Sequence, residues 1–511
     1  MGKLSKKNAA PGFTSRNVAS FYNGKGVRHI TSAPPKLLPQ ASERYLTPNA
    51  EAGLKIKGFI LPSGRIKRFR IPAVALPLLV CLLCIGRPVI SQADVLFTYG
   101  YSPRGIGMGG AFSATADDFA ASYYNPAGSA FQHRPSFGLG CLVTGSEMTG
   151  VGIEAPDLDH TQGVIFGTTL PLPFGSFLAD RLSFGAVVFL PDGVLLGITV
   201  PTPVAPQYVI LQNSGRSLTL IPTLGLKLHR GIAVGGGVQL FDNTCGELNA
   251  TVDSDGTIQA TVGQELLTSF AAIVGVLFRP GDYWDSLSGW RIGMVFRDRF
   301  FTKYDIPVYT SIGDVPLTVG FQATSLYTPR QWVLGVAYEW SRWMWEVDVS
   351  YNEWSDFPDP NLEIDIDFTI PILPITFQGS KIHTPGFHDT TTVRAGMEVA
   401  AYTGTHVDFF TRTGYSFDPS PVPDQRGVTN YLDTDRHIGA LSLGLAVRGV
   451  GDYKFEAPMS LDLVGQAQLL TERVAYKNGD VDSNNPGHPK VGFSGVLYLV
   501  GATFSAEFDF E

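Results

Sequence analysis

Charge is scarce in this chain and cysteine scarcer: 16% of its 511 residues are charged and four are cysteine. Cys81 and Cys84 fall within an apolar leader, so only Cys141 and Cys245 remain beyond it. That allows one disulfide and excludes both a disulfide-stapled scaffold and a zinc site built from clustered Cys and His. After Asp94 no apolar run reaches the roughly 20 residues that a helical membrane span requires. A nucleophile elbow and an HExxH helix are also missing. The scattered His383, His388 and His437, and the carboxylates Asp356, Asp359, Asp433 and Asp435, lack the spacing of a metal loop. No catalytic residue, metal or cofactor is therefore assigned.

Acidic residues are nearly missing from the start of the chain. The first 93 residues hold 15 of the 38 Lys and Arg but 2 of the 46 Asp and Glu, leaving 23 basic and 44 acidic residues, a formal charge of −21. So acidic a body argues against nucleic-acid binding. The basic start has the form of a targeting segment. Arg65, Lys67, Arg68 and Arg70 precede the apolar run Ile71–Ile85, and Ser91 and Ala93 occupy the −3 and −1 positions of a small-residue cleavage site. Residues 65–93 are read as a signal peptide with the mature chain starting at Asp94. The run is too short for an anchor and holds Pro72 and Pro77. Residues 1–64, polar and aperiodic, are read as a disordered or mis-called extension.

What the body does contain is alternation of period two. In QWVLGVAYEWSRWMWEVDVSY, Trp332, Leu334, Val336, Tyr338 and Trp340 share one face; Trp343, Trp345, Val347, Val349 and Tyr351 continue it beyond a Ser341-Arg342 turn. The other face holds Gly335, Ala337, Glu346, Asp348 and Ser350. One face is aromatic at its ends and aliphatic between, the other small or charged. A soluble sandwich would bury the first face against a second sheet; an outer-membrane barrel would turn it to lipid. About fifteen segments carry the pattern, and single-chain barrels use an even number of strands. The expected fold is all-β, a transmembrane antiparallel β-barrel of about 14 strands formed by residues 133–511. Residues 253–263, 357–387 and 474–489 are the expected outer loops, and Ser341-Arg342 a periplasmic turn.

Residues 94–132 do not fit the wall. A barrel of this size encloses more space than wall side chains fill, and the stretch YSPRGIGMGGAFSATADDFAASYYNPAGSAF is compact, glycine-rich and studded with aromatics. It is expected to fold into the lumen as a plug, where Gly105, Gly107, Gly109 and Gly110 permit turns closed to other residues.

At GIGMGGAFSATADD followed by NPAG the sequence resembles the N-terminal hatch of the FadL-type outer-membrane transporters of long-chain fatty acids and aromatic hydrocarbons. SLTLIPTLGLKLHRGIAVGGGVQL, TPRQWVLGVAYEWSRWMWEVDVSYNEWSDF, TTVRAGMEVA, RTGYSFDPSPVPDQ and DTDRH are similar to later family segments, in order. The resemblance implies a fourteen-stranded, hatch-blocked barrel that captures an amphipathic ligand outside. Movement of the hatch then passes the ligand through a gap in the wall into the membrane, with no cofactor. It assigns Gly109, Gly110, Ala111, Asp118, Asn125, Pro126, Ala127 and Gly128 to the hatch motif and puts Leu96 and Phe97 near the ligand. Pro191, Gly193 and Pro222, ill suited to a regular ladder, are candidates for the wall opening. The implied partners are hydrophobic small molecules and outer-membrane lipid of a Gram-negative bacterium, with the protein a monomer. A general porin, a surface adhesin and an outer-membrane lipid-modifying enzyme remain as alternative readings.

Overall fold

In the computed structural model, the alternating segments form, among the described residues, eighteen strands of one sheet. In chain order these begin β1 (Ser136–Val151), β2 (Gln162–Pro171), β3 (Leu182–Pro191), β4 (Thr219–His229), β5 (Ile232–Val252), β6 (Ile258–Phe278), β7 (Trp290–Arg297), β8 (Phe300–Ile312) and β9 (Val315–Thr328). They continue with β10 (Arg330–Trp340), β11 (Trp343–Glu353), β12 (Glu363–Ile370), β13 (Leu373–Gln378), β14 (Thr390–Thr403), β15 (Val407–Asp418), β16 (Arg436–Val450), β17 (Tyr453–Tyr476) and β18 (Lys490–Glu507). The structure describes residues 95–508 apart from 156–161, 176–177, 179, 192–205, 209, 212–217, 253–257, 313–314, 359–362, 371–372, 379–384, 451–452 and 478–483. The extension, the signal peptide and Gly193 lie outside the described residues, as does the Cys245 side chain.

Fourteen of the strands close a ring. β1 to β7 pair in succession, β7 pairs with β10, β11 with β14, and β18 returns to β1 from Ser136↔Glu507 to Val151↔Gly492, all antiparallel. Closure leaves no sheet edge and satisfies the backbone internally, as hydrocarbon surroundings demand. The other four strands, β8, β9, β12 and β13, pair among themselves beyond the ring's far end and touch β5 at Leu248↔Val308. Two expected loops are corrected by this extension. Residues 258–263 continue β6, and 357–387 includes β12 and β13, because hairpins prolonged beyond the membrane go on pairing their backbones. β17 likewise runs to Tyr476, three residues into the third.

Side-chain exposure decides which medium each face meets. Trp345 and Val347 are 52% and 48% exposed, while Glu346 and Asp348 are 1% exposed. The apolar faces of β10 and β11 lie side by side, Trp340↔Trp343 at the turn and Trp332↔Tyr351 at the other end. The tryptophans are thus not locked between facing sheets; they girdle an outer surface, and the small and charged residues line the inside. Ser341 takes the left-handed φ of 56° that the two-residue turn needs.

The arrangement predicts a depth-dependent response to charge. Val347 lies midway between Trp343 and Tyr351, so Val347→Arg is expected to destabilise the folded barrel by about 2–4 kcal/mol, and Trp340→Arg, at the turn, by about 0–1 kcal/mol. Denaturant titration in phospholipid vesicles reads the difference; equal losses would remove the membrane placement.

Candidate functional site

Residues 95–131 fold as short turns rather than as a domain. Val95–Tyr99 and Pro103–Gly107 are single helical turns, the second capped by Ser102, whose Oγ accepts from Gly105 N–H at 3.3 Å. Ala121–Tyr124 leads into a 3₁₀ turn at Pro126–Phe131. Asn125 organises this junction. Its Oδ1 accepts from Ala127 N–H, while its Nδ2 donates to Ser113 O at 2.7 Å and to Val276 O of β6 at 3.1 Å. Asp118 Oδ1 accepts from Ala120 N–H at 2.8 Å. Gly109 and Gly110 have φ of 66° and 80°, and a Cβ on Gly128 would lie 1.8 Å from Ala116 O, so these positions admit little but glycine. Ala111, Pro126 and Ala127 are buried.

The segment meets all fourteen wall strands from inside, and the wall is recessed to receive it. A Cβ on Gly275 would sit 2.0 Å from Asn125 Oδ1, on Gly335 2.0 Å from Ser113 Oγ, and on Gly414 2.0 Å from Gly109 N. On Gly235 it would strike Ala127 N at 2.4 Å, and on Gly138 and Gly167 the Phe119 ring at 2.4 Å. The register sets several of these glycines side by side: Gly138↔Gly167, Gly235↔Gly275, Gly396↔Gly414. A band of the wall is therefore thinned to backbone at the level of the segment.

Charge completes the seat. On β11, Glu346 Oε1 accepts from Ala114 N–H at 2.6 Å and Oε2 from Thr115 Oγ1; Asp348 Oδ2 accepts from Phe112 and Ser113 N–H, both at 3.2 Å. Towards the short-turn end, Arg104 pairs with Asp117 at 2.6 Å and Glu398 at 3.0 Å, and Arg412 joins Glu398 to Asp462. Burial opposes the Asp117 charge, yet Arg104 and Arg291 hold its carboxyl below the usual range. In the sequence these inward charges read as a lumen network; nothing there told that Glu346 and Asp348 grip the backbone of the inner segment.

Two small cavities lie on the far side of the segment. One of about 80 Å³ is lined by Leu96, Phe97, Arg297, Asp348, Arg394 and Asp418 among others, and one of about 40 Å³ by Leu96, Phe97, Thr219, Ile221, Gln239 and Phe241. Above them Phe97 stands edge-on to Trp354 at 6.0 Å, within a buried cluster that includes Tyr327, Phe357, Phe387 and Tyr431. Below the segment, the short-turn end opens into a vestibule of about 680 Å³.

The wall beside the smaller cavity is irregular. Pairing of β4 with β5 stops at Leu220↔Leu240 and resumes at Thr223↔Gly237, skipping Ile221 and Pro222. Proline offers no N–H to the ladder. On its other side Pro222 pairs with Ala186 in an unbroken ladder, and Pro191 pairs with Gly163 at the end of β3.

Beyond the outer ends of β15 and β16, Asp433 is buried in the connection. Burial pushes its carboxyl up to about 6, against the pull of Arg436. The native state holds this proton more tightly than the unfolded chain, so the stabilisation is complete below about pH 4 and lost as pH rises through about 6. Asp433→Asn is expected to raise the melting temperature at pH 8 and leave it unchanged at pH 3.5; the opposite order in a thermal scan refutes the assignment.

A closed barrel with an apolar exterior, its lumen filled by the N-terminal part of the same chain, defines an outer-membrane transport protein of the plugged type. Residues 89–508 match the family described as outer membrane protein transport protein (OMPP1/FadL/TodX), and the chain belongs to that family, whose place is the outer membrane of Gram-negative bacteria. It is 25% identical over 464 residues to alkane uptake protein A of Marinobacter nauticus, covering 84% of this chain and 97% of that one. Among solved structures it is similar to a Pseudomonas aeruginosa FadL homologue (14% identity, TM-score 0.48, 83% of this chain and 99% of that one). The Pseudomonas putida toluene transporter TodX is another (15%, TM-score 0.48, 81% and 100%).

Proposed function

We propose that the protein carries hydrophobic small molecules, long-chain fatty acids or hydrocarbons, passively across the outer membrane as a monomer, with residues 94–132 as a hatch and release sideways into the bilayer. The observation that carries this reading is the seat: a segment keyed into a glycine band and clasped by buried carboxylates blocks free aqueous flow. The relative named for alkane uptake supports the ligand class.

Size supports movement. Cavities of about 80 and 40 Å³ are far short of the ~300 Å³ that a bound small molecule fills. Ligand entry therefore requires the Leu96–Phe97 turn to shift. Sideways release follows from the cost of wetting a hydrocarbon chain, about 0.8 kcal/mol per CH₂; a water-filled path is a poor conduit for such a ligand. Of the wall candidates, Pro222 is favoured, because the skipped pairs at Ile221 and Pro222 border a cavity that Leu96 and Phe97 also line.

The test is uptake of labelled oleate, hexadecane and toluene by a deletion strain with and without the gene. Restored uptake of at least one is expected, together with near-silent conductance of the purified protein in planar bilayers. Large steady conductance would instead make it a porin, and unchanged uptake of all three an adhesin.

A further inference from the structure

The inward glycines named above are filled by the inner segment; Gly439 of β16 and Gly465 of β17, on the outer face, are filled by none of the described residues. A Cβ added to either would meet no heavy atom within 4 Å beyond its own chain neighbours. Strand register joins the two into one depression. Gly439 lies beside Ala467, between Tyr415 and Tyr498; Gly465 lies one row nearer the short turns, between Leu441 and Val500. The resulting groove measures about 640 Å³. Its rims are held apart. The Tyr498 ring lies over Gly145 of β1, where a Cβ would meet it at 2.4 Å, and Tyr415 Oη hydrogen-bonds to His437 Nδ1 at 2.7 Å, towards the outer end. Leu441 and Val500 stand up beside Gly465, 58% and 56% exposed.

The floor offers an occupant nothing polar. β15 to β18 pair through these rows without a shift of register, so the backbone groups are taken up in the ladders. Thr413 Oγ1, at the edge, donates to Ala440 O at 3.3 Å. The groove is also shut off from the lumen. Behind it Ala440, Gln466 and Leu499 are buried, and Gln466 Nε2 donates to Tyr99 O of the inner segment at 3.2 Å. It stands apart from the interrupted β4–β5 ladder. Tyr415 and Gly439 lie three residues from Asp418 and Arg436, the outer ends of β15 and β16, so the groove opens in the outer half of the apolar face.

We propose that this groove holds one acyl chain of a membrane lipid. The face around it meets hydrocarbon, and that contact continues over the rims and into the gap. Neighbouring strands lie about 4.8 Å apart, so a missing side chain leaves a furrow about as wide as a polymethylene chain. An empty furrow forfeits the dispersion contacts of its lining; a chain laid along it restores them on three sides. Rims already fixed by Gly145 and His437 lower the ordering that binding requires. A second barrel fits less well. Leu441, Leu469 and Val500 project around the gap and keep two walls apart, whereas a stable protein interface buries about 1,200 Å² or more.

The test is native mass spectrometry. The protein is reconstituted in vesicles of palmitoyl-oleoyl-phosphatidylcholine containing oleate, extracted in mild detergent and weighed. One phospholipid is expected to stay bound under activation that strips the rest, and to be lost from Gly439→Leu and from Gly465→Leu, whose side chains fill the furrow from the wall itself. Leucine is a better strand former than glycine and adds apolar surface where lipid is met, so both variants are expected to keep the barrel's circular dichroism. If one fails to fold, the other carries the test. Gly236→Leu, on the outer face of β5, is expected to keep the lipid. A native protein that retains no phospholipid, or groove variants that retain it as the native protein does, overturns the site. Retained oleate in place of phospholipid makes the groove part of the ligand's route, and a doubled mass that Gly439→Leu abolishes makes it a contact between copies; either result overturns the lipid assignment.

Discussion

Gly275→Leu is expected to convert a silent barrel into a conducting one. The inward face of residue 275 is occupied by Asn125, whose Oδ1 lies 2.0 Å from where a Cβ would stand, with Pro126 Cδ at 3.1 Å. Neither neighbour yields easily. Asn125 is fully buried and fastened to Ser113 O, Val276 O and Ala127 N–H. A leucine there displaces the whole Asn125–Ala127 corner, and overpacking of this kind costs about 1–3 kcal/mol before the broken hydrogen bonds are counted. The wall has little reason to fail: β6 keeps its pairing with β5 and β7, and glycine is the weaker strand former. Planar-bilayer recordings are expected to show steady current for Gly275→Leu and near silence for Gly236→Leu. In that control the nearest heavy atom to the added Cβ is a wall carbonyl 3.6 Å away. Current from both variants, or from neither, refutes the glycine seat.

Glu346→Ala combined with Asp348→Ala is expected to free the inner segment without disturbing the barrel. The two carboxylates accept from three backbone amides and one hydroxyl in the Phe112–Thr115 stretch, and those donors are buried. Each donor left without an acceptor costs about 1–3 kcal/mol, so the pair of changes removes several kcal/mol from the seated state. Glu346→Gln with Asp348→Asn retains a carbonyl oxygen at each position and is expected to fall between. Hydrogen exchange at Phe112–Ala114 reads the effect directly: rapid in the double alanine variant, slower in the amide variant, slowest in the native protein, with strand amides of β10 protected in all three. Equal protection of the segment in all three removes the clasp.

Both predictions concern features invisible before the structure. The barrel itself was legible, because in a wall one residue thick each side chain faces either lipid or lumen, and that choice repeats every second residue. Trp332, Leu334 and Val336 against Val333, Gly335 and Ala337 carry the signal locally, with no need of knowledge about distant strands. The same locality let GIGMGGAFSATADD and NPAG stand out as something other than wall. Strand ends were less legible. Periodicity continues into hairpins that leave the membrane, so β6, β12 and β13 occupy ground that polarity and proline had assigned to loops.

Composition and alternation by themselves determined the class of fold, the medium on each face and the presence of an odd glycine-rich beginning. Which glycines recess the wall and which carboxylates hold the segment were decided only when the ring closed. The physical reason is sequence distance: Asn125 meets Gly275, and Ala114 meets Glu346, across separations that no local pattern encodes. Strand register, accumulated around fourteen strands, sets which inward residue stands at the level of the segment, and a shift of one position along any of them would turn that residue to lipid.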